Sequence, residues 1–146
     1  MNLKLRLMDL LACPMCKKFP LKLLIFSIEE RGKPKELPSK CPLYCALKGG
    51  WVKDVKPTDD ECLECFSKEV VEGLIICEEC YRWYPIIDEI PHMLPDDLRV
   101  ADPVEELEFM KKWIERFPKE VLERGKPFNE ESLKEMRVKR ARRPGQ

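Results

Sequence analysis

Four cysteine pairs constrain this chain more than anything else in it. They read Cys13-Pro-Met-Cys16, Cys41-Pro-Leu-Tyr-Cys45, Cys62-Leu-Glu-Cys65 and Cys77-Glu-Glu-Cys80, and they use all eight cysteines. A CxxC or CxxxC turn aims two sulfurs at one point, which is half of a tetrahedral site, and two such turns complete it. The four pairs therefore predict up to two metal ions and an architecture arranged around them. Zinc is the expected occupant, with rubredoxin-like iron and disulfides as the alternatives. Disulfides need oxidising surroundings, and no signal peptide is visible. Lys4, Arg6 and Asp9 interrupt the apolar residues of the N-terminus, which reads as an amphipathic helix. Composition adds one complication. The chain is 37% charged, has 13 prolines, and carries amide side chains only at Asn2, Asn129 and Gln146. That profile is thermophilic, and thermophile cytosols tolerate disulfides.

A length of 146 residues suits one domain, or a small domain with an appendage. Lys plus Arg balances Asp plus Glu at 27 each, whereas a nucleic-acid binder acting alone is usually basic. No apolar run approaches the ~20 residues of a membrane span, so a soluble, cytoplasmic protein is expected.

The leucines at 3, 7, 10 and 11 fall at helical spacing over residues 3–12, and Pro14 stops that helix. Leu21 to Ile28, Val70 to Ile76 and Trp83 to Ile90 read as strands. Gly32, Pro34 and Pro38 mark residues 31–40 as loop. After Pro103, Val104, Leu107, Met110, Ile114, Phe117 and Val121 recur every three or four residues, an amphipathic helix with a break near Pro118. Asn129 is a candidate N-cap for a further helix, with Ser132 as a rival start. Phe109, Met110, Trp113, Ile114 and Phe117 either pack back on the sheet or dock a partner, and packing is the favoured reading.

The inner cysteine pairs are separated by residues 46–61, within the ~15–20 residues of a compact ribbon site. Nested pairing is preferred: Cys13, Cys16, Cys77 and Cys80 form a first site, and Cys41, Cys45, Cys62 and Cys65 a second. Sequential pairing stays open. Four thiolates leave a metal no position for water, so both sites are structural. His92, the single histidine, reads as an ordinary loop residue. The expected fold is α+β: a small zinc-ribbon-like domain with a short antiparallel sheet and N-terminal helix (residues 1–30 plus 70–100), an inserted second zinc lobe (31–69), and a helical extension with a basic tail (101–146).

Two strings carry a resemblance. Leu7-Met8-Asp9-Leu10-Leu11-Ala12-Cys13-Pro14-Met15-Cys16 resembles the opening, and Glu72-Gly73-Leu74-Ile75-Ile76-Cys77-Glu78-Glu79-Cys80-Tyr81-Arg82-Trp83-Tyr84-Pro85-Ile86-Ile87-Asp88-Glu89-Ile90-Pro91-His92-Met93-Leu94 the close, of the small zinc-binding activator subunits shared by several methyltransferases of the translation machinery. The resemblance implies a protein that performs no catalysis. It would stabilise and activate methyltransferases acting on tRNA, rRNA or translation release factors, by joining edge strands and covering apolar surface. The family often has Gly where this chain has Glu89, so the turn there is expected to differ.

Residues 83–90 are unusually apolar for a stretch just after a cysteine knuckle, and Pro85, lacking a donor, points to an edge or a strand start. Trp83, Tyr84, Ile86, Ile87, Ile90, Met93 and Leu94 are therefore the expected partner surface, with a place in the chain's own core as the competing reading. Arg137, Lys139, Arg140, Arg142 and Arg143 are candidate RNA contacts acting through the complex; a solvated tail is the bland alternative. A stand-alone nucleic-acid-binding ribbon, with Trp51, Trp83 and Tyr84 stacking on bases, is the second functional reading. An iron electron carrier is the third.

Overall fold

The computed structural model describes residues 4–36 and 40–141, the last six of these by backbone alone. Leu3, Pro38, Arg142 and Arg143 lie outside the described residues. The elements are β1 (Lys22–Glu30), β2 (Tyr44–Cys45), β3 (Gly50–Trp51), α1 (Val52–Val55), α2 (Asp59–Ser67), β4 (Lys68–Ile76), β5 (Trp83–Ile87), β6 (Ile90–Pro91), α3 (Asp96–Ala101), α4 (Val104–Lys112), α5 (Lys119–Arg124) and α6 (Glu130–Ala141). The fold is α+β, as expected. A four-stranded antiparallel sheet runs β1-β4-β5-β6.

Period-two alternation builds the sheet, because successive side chains on a strand point to opposite faces. Ile75, Tyr84 and Ile86 face one layer, where they meet Leu5, Met8, Cys13, Leu21 and Cys77. Leu74, Ile76 and Trp83 face the other, where they meet Leu107, Phe109, Met110, Phe117, Val121, Phe128 and Leu133. The competing readings of the C-terminal helices are thereby separated: their large apolar residues pack on the sheet. The predicted long helix is broken twice, by a 3-10 turn at Ile114–Arg116 and by Pro118, which precedes α5. Asn129 wins over Ser132 as the start of α6. Its Oδ1 accepts from Ser132 N–H at 3.3 Å, while Ser132 Oγ accepts from Asn129 N–H at 3.1 Å.

Two local expectations are corrected and one helix is added. The N-terminal helix is only a 3-10 turn, Leu5–Asp9. Lys4 is held in a β-bridge to Glu69, and the buried Asp9 carboxylate accepts from Leu43 N–H (3.0 Å) and Tyr44 N–H (2.6 Å). These tertiary bonds hold the segment in place of further helical turns. Residues 59–67, placed in the inserted lobe with no secondary structure assigned to them, form a helix. Its signal was the capping box Thr58-x-x-Glu61, whose reciprocal bonds are both 3.2 Å. The third strand ends at Ile87, because Asp88 (φ 48°) and Glu89 (φ 67°) form a two-residue hairpin loop with both residues left-handed. A glycine is the natural occupant of such a position. Here Glu89 accepts an ion pair from Arg31.

Gly73 is the one glycine the sheet demands. It pairs with Ile25 where β1 is bulged, and a Cβ there would lie 2.6 Å from the Leu24 carbonyl oxygen.

Candidate metal centre

The two outer knuckles are built alike. In the first, Cys13 N–H donates to Lys18 O and Lys17 N–H to Cys13 O, both at 2.9 Å. In the second, Cys77 N–H donates to Arg82 O (2.8 Å) and Tyr81 N–H to Cys77 O (2.9 Å). In both, the residue after the second cysteine is left-handed: Lys17 at φ 68° and Tyr81 at φ 60°. A non-glycine residue rarely sits there unless its surroundings hold it. The tight turn places both sulfurs of each pair on one side.

The knuckles face each other across the end of the sheet. Cys13 and Cys80 sulfurs are 3.7 Å apart, Cys16 and Cys77 sulfurs 3.4 Å, and all four lie within 4.8 Å of one another. A tetrahedral zinc site with Zn–S bonds of about 2.3 Å needs S···S edges of about 3.8 Å. The donor set and its spacing therefore fit zinc. The four cysteines are free thiols, and they come together as the nested order requires.

The surroundings favour a thiolate at Cys13, whereas burial raises the Cys16 and Cys77 thiols. Burial pushes the Cys13 thiol up, but the Tyr84 hydroxyl and the Cys16 and Met15 amides outweigh it and bring the group down to about 7. Burial raises the Tyr84 phenol well above its usual value, and its 3.1 Å bond to Cys13 sulfur adds to that, so Tyr84 keeps its proton and donates. Cys77 is pushed up to about 12, chiefly by burial. A divalent ion at the centre of the four sulfurs reverses that penalty by stabilising the thiolate directly. Arg82 sets a positive charge beside Cys80 while holding Asp96 through bonds of 2.7, 2.9 and 3.1 Å. Such outer partners orient and charge-balance the ligands. The sequence reading offered Tyr84 to a partner and left Arg82 out, so neither was read as a support of the metal ligands. Their signal was position, within four residues of Cys80.

The remaining site residues divide. Trp83, Tyr84 and Ile86 are fully buried, so the sequence reading that offers them to a partner is corrected. Both faces of β5 are covered by this chain. Its outer edge is closed as well: Tyr81 O accepts from Lys126 N–H, Trp83 O from the Arg99 guanidinium and Pro85 O from His92 N–H. Ile87 and Met93 are half-buried, whereas Ile90 is 54% and Leu94 41% exposed. The long terminal strand of the sheet is β1, not β5. His92 is half-buried just past β6. Arg137, Lys139 and Arg140 lie on α6, described by backbone alone.

The inner cysteines occupy a separate lobe. Cys41 precedes β2, Cys45 is in β2, and Cys62 and Cys65 are one helical turn apart on α2. All four line one cavity with Arg6 and Lys40. Among the described residues, only the outer four have sulfurs all within 4.8 Å of one another.

Residues 4–89, which include both outer knuckles and the inserted lobe, match the family described as Trm112p-like protein. The chain belongs to the Trm112p-like family. This is the family of small methyltransferase-activating subunits. No curated protein matches the chain. The Trm112p-like match ends at Glu89, so the helices that cover the second face of the sheet lie beyond it. No helix among the described residues is long and apolar enough to cross a membrane.

Proposed function

We propose that this chain is a non-catalytic, cytoplasmic subunit that stabilises and activates S-adenosylmethionine-dependent methyltransferases acting on tRNA, rRNA or a translation release factor. Family membership over the span that builds the outer metal centre carries this reading. The sequence agrees: no strand is followed by a glycine-rich turn suited to a methyl donor's nucleoside, and the outer cysteines form a set that could hold a metal ion. The partner joins its sheet to the nine-residue edge strand β1. The opposite edge, β6, is two residues long and contains Pro91, so it suits strand addition poorly. Exposed apolar side chains then serve as the covered surface: Ile28 at 41%, Ile90 at 54%, Leu94 at 41% and Leu98 at 55% exposure.

The test is a pulldown of the tagged full chain from its own cells, with mass spectrometry. A methyltransferase is the expected companion. The Ile90→Asp/Leu98→Asp variant should lower its recovery at least about tenfold while the chain's own melting temperature moves little, because exposed substitutions usually change stability by under about 0.5 kcal/mol. RNA recovered without any methyltransferase would instead favour a stand-alone binder. That second reading loses Trp83 and Tyr84 to burial and keeps Trp51, which is 40% exposed and clustered with Phe19 and Tyr44.

The basic residues Arg137, Lys139, Arg140, Arg142 and Arg143 are the segment we assign to RNA within the complex. Truncation after Met136 should weaken RNA binding by the complex and flatten its salt dependence, each lost phosphate contact lowering the slope by about 0.7–0.9. Unchanged affinity and slope would remove the tail from the mechanism.

A further inference from the structure

The inserted lobe buries almost nothing of its own, and Tyr44, Ala46, Leu47 and Cys65 pack instead against the outer cluster. Between Lys40 and Phe66 the only buried residue is Cys45. Its sheet consists of two strands of two residues each. Chain segments below about 40 residues usually need a metal, a disulfide or a partner to fold. The lobe's half-buried positions include Cys41, Cys62 and Cys65.

We propose that Cys41, Cys45, Cys62 and Cys65 bind a second zinc ion, which is what folds the lobe. Three observations on different elements converge on this. The four side chains line a single cavity, from a loop, a strand and a helix. Cys62 and Cys65, at i and i+3, share one face of α2, and the Thr58–Glu61 capping box fixes where that helix begins. Arg6 and Lys40 line the same cavity, and four thiolates around one Zn²⁺ leave two negative charges for them to offset. The outer centre uses the same device, with Arg82 beside Cys80. Binding forms four Zn–S bonds as four thiol protons leave to solvent, with no change of oxidation state. The inner sulfurs are set wider than the outer ones, so the Cys41–Cys45 segment and α2 draw together across the cavity as the ion binds. Asp9, bonded to Leu43 and Tyr44 N–H, then ties the closed lobe to the outer domain.

This inference concerns metal content and does not depend on the identity of any partner. The full chain is reduced, supplied with excess zinc, desalted and analysed for bound metal. With eight cysteines and four thiolates per structural zinc, two ions per chain are expected. The Cys62→Ser/Cys65→Ser variant should retain one. A measurement that needs no variant accompanies it: timed alkylation of the zinc-loaded wild-type chain, mapped by mass spectrometry. Cys41, Cys45, Cys62 and Cys65 should react at least about tenfold more slowly than after chelation, because a metal-bound thiolate is withdrawn from attack. One zinc per chain overturns the proposal. So do inner cysteines that alkylate at the same rate with and without zinc, or that are found as disulfides.

Discussion

Cys77→Ser leaves the chain without a cooperative unfolding transition at 25 °C and reduces its zinc content. Cys77 is fully buried. It ends the central strand β4 and starts the second knuckle. A serine oxygen is a weak zinc ligand, so the substitution opens the tetrathiolate and leaves the other three thiolates crowded without their cation. A structural zinc contributes about 10–16 kcal/mol of folding free energy, as much as the whole stability of a typical domain, about 5–15 kcal/mol. Around the outer site the chain has little to replace it, since Cys13 and Cys77 are themselves members of the buried cluster on that face. Two nearby residues also hold left-handed backbone, Lys17 and Tyr81, and the ion helps hold both turns. A strong chelator should act on the wild-type chain as the substitution does. Near-UV circular dichroism during urea unfolding, with metal analysis of the same samples, reads both effects. Survival of a wild-type transition in Cys77→Ser would mean that packing alone holds the sheet.

Arg99→Met should lower the unfolding free energy of the zinc-loaded chain by about 3–5 kcal/mol, the cost of leaving a buried ion without its partner. Arg99 is 1% and Glu106 4% exposed. Arg99 Nε donates to Glu106 Oε1 at 2.7 Å, and its Nη2 donates to the Trp83 carbonyl oxygen. The guanidinium lies 5.2 Å from the Trp83 ring centre, 4.9 Å from that of Tyr84 and 6.0 Å from that of Phe128. Nη1 is buried without a hydrogen-bond partner among the described residues and depends on those rings. One side chain thus seals the outer edge of β5, pairs a helix carboxylate and fills an aromatic cage. Removing it strands the Glu106 charge and one strand carbonyl together. The double variant Arg99→Met/Glu106→Leu should recover a large part of the loss, because the stranded charge is gone. Urea midpoints for the two variants and the wild type measure this. A loss below about 1 kcal/mol for Arg99→Met would show that water reaches Glu106 and that the pair is not closed to solvent.

Most of the outer centre was legible in the chain. The CxxC spacing named the ligands, and nesting named the partners, because thiolate chemistry depends on residue type and short-range geometry. The three long strands were legible as apolar runs, to within a few residues, whereas the two-residue strands β2, β3 and β6 were not. The Thr58–Glu61 box is a further local signal, marking the start of α2.

Other features belonged to tertiary structure alone. The stretch Trp83 to Ile87 has the same apolar pattern whether it meets a partner or its own chain. What decided it was cover supplied from Leu107, Phe117 and Phe128, far along the sequence, and from Leu5, Met8 and Leu21 on the other face. Arg99 is likewise an ordinary surface-type residue until burial places it against Glu106 and the aromatic rings. The N-terminal leucines have helical spacing, yet Lys4 and Asp9 are claimed by β4 and the inserted lobe, and the helix stops at a single 3-10 turn. The sequence by itself determined which four sulfurs come together and where the three long apolar strands run. Only the folded chain decided which apolar surfaces stay exposed, because burial depends on contacts between residues too distant in sequence for any local pattern to record.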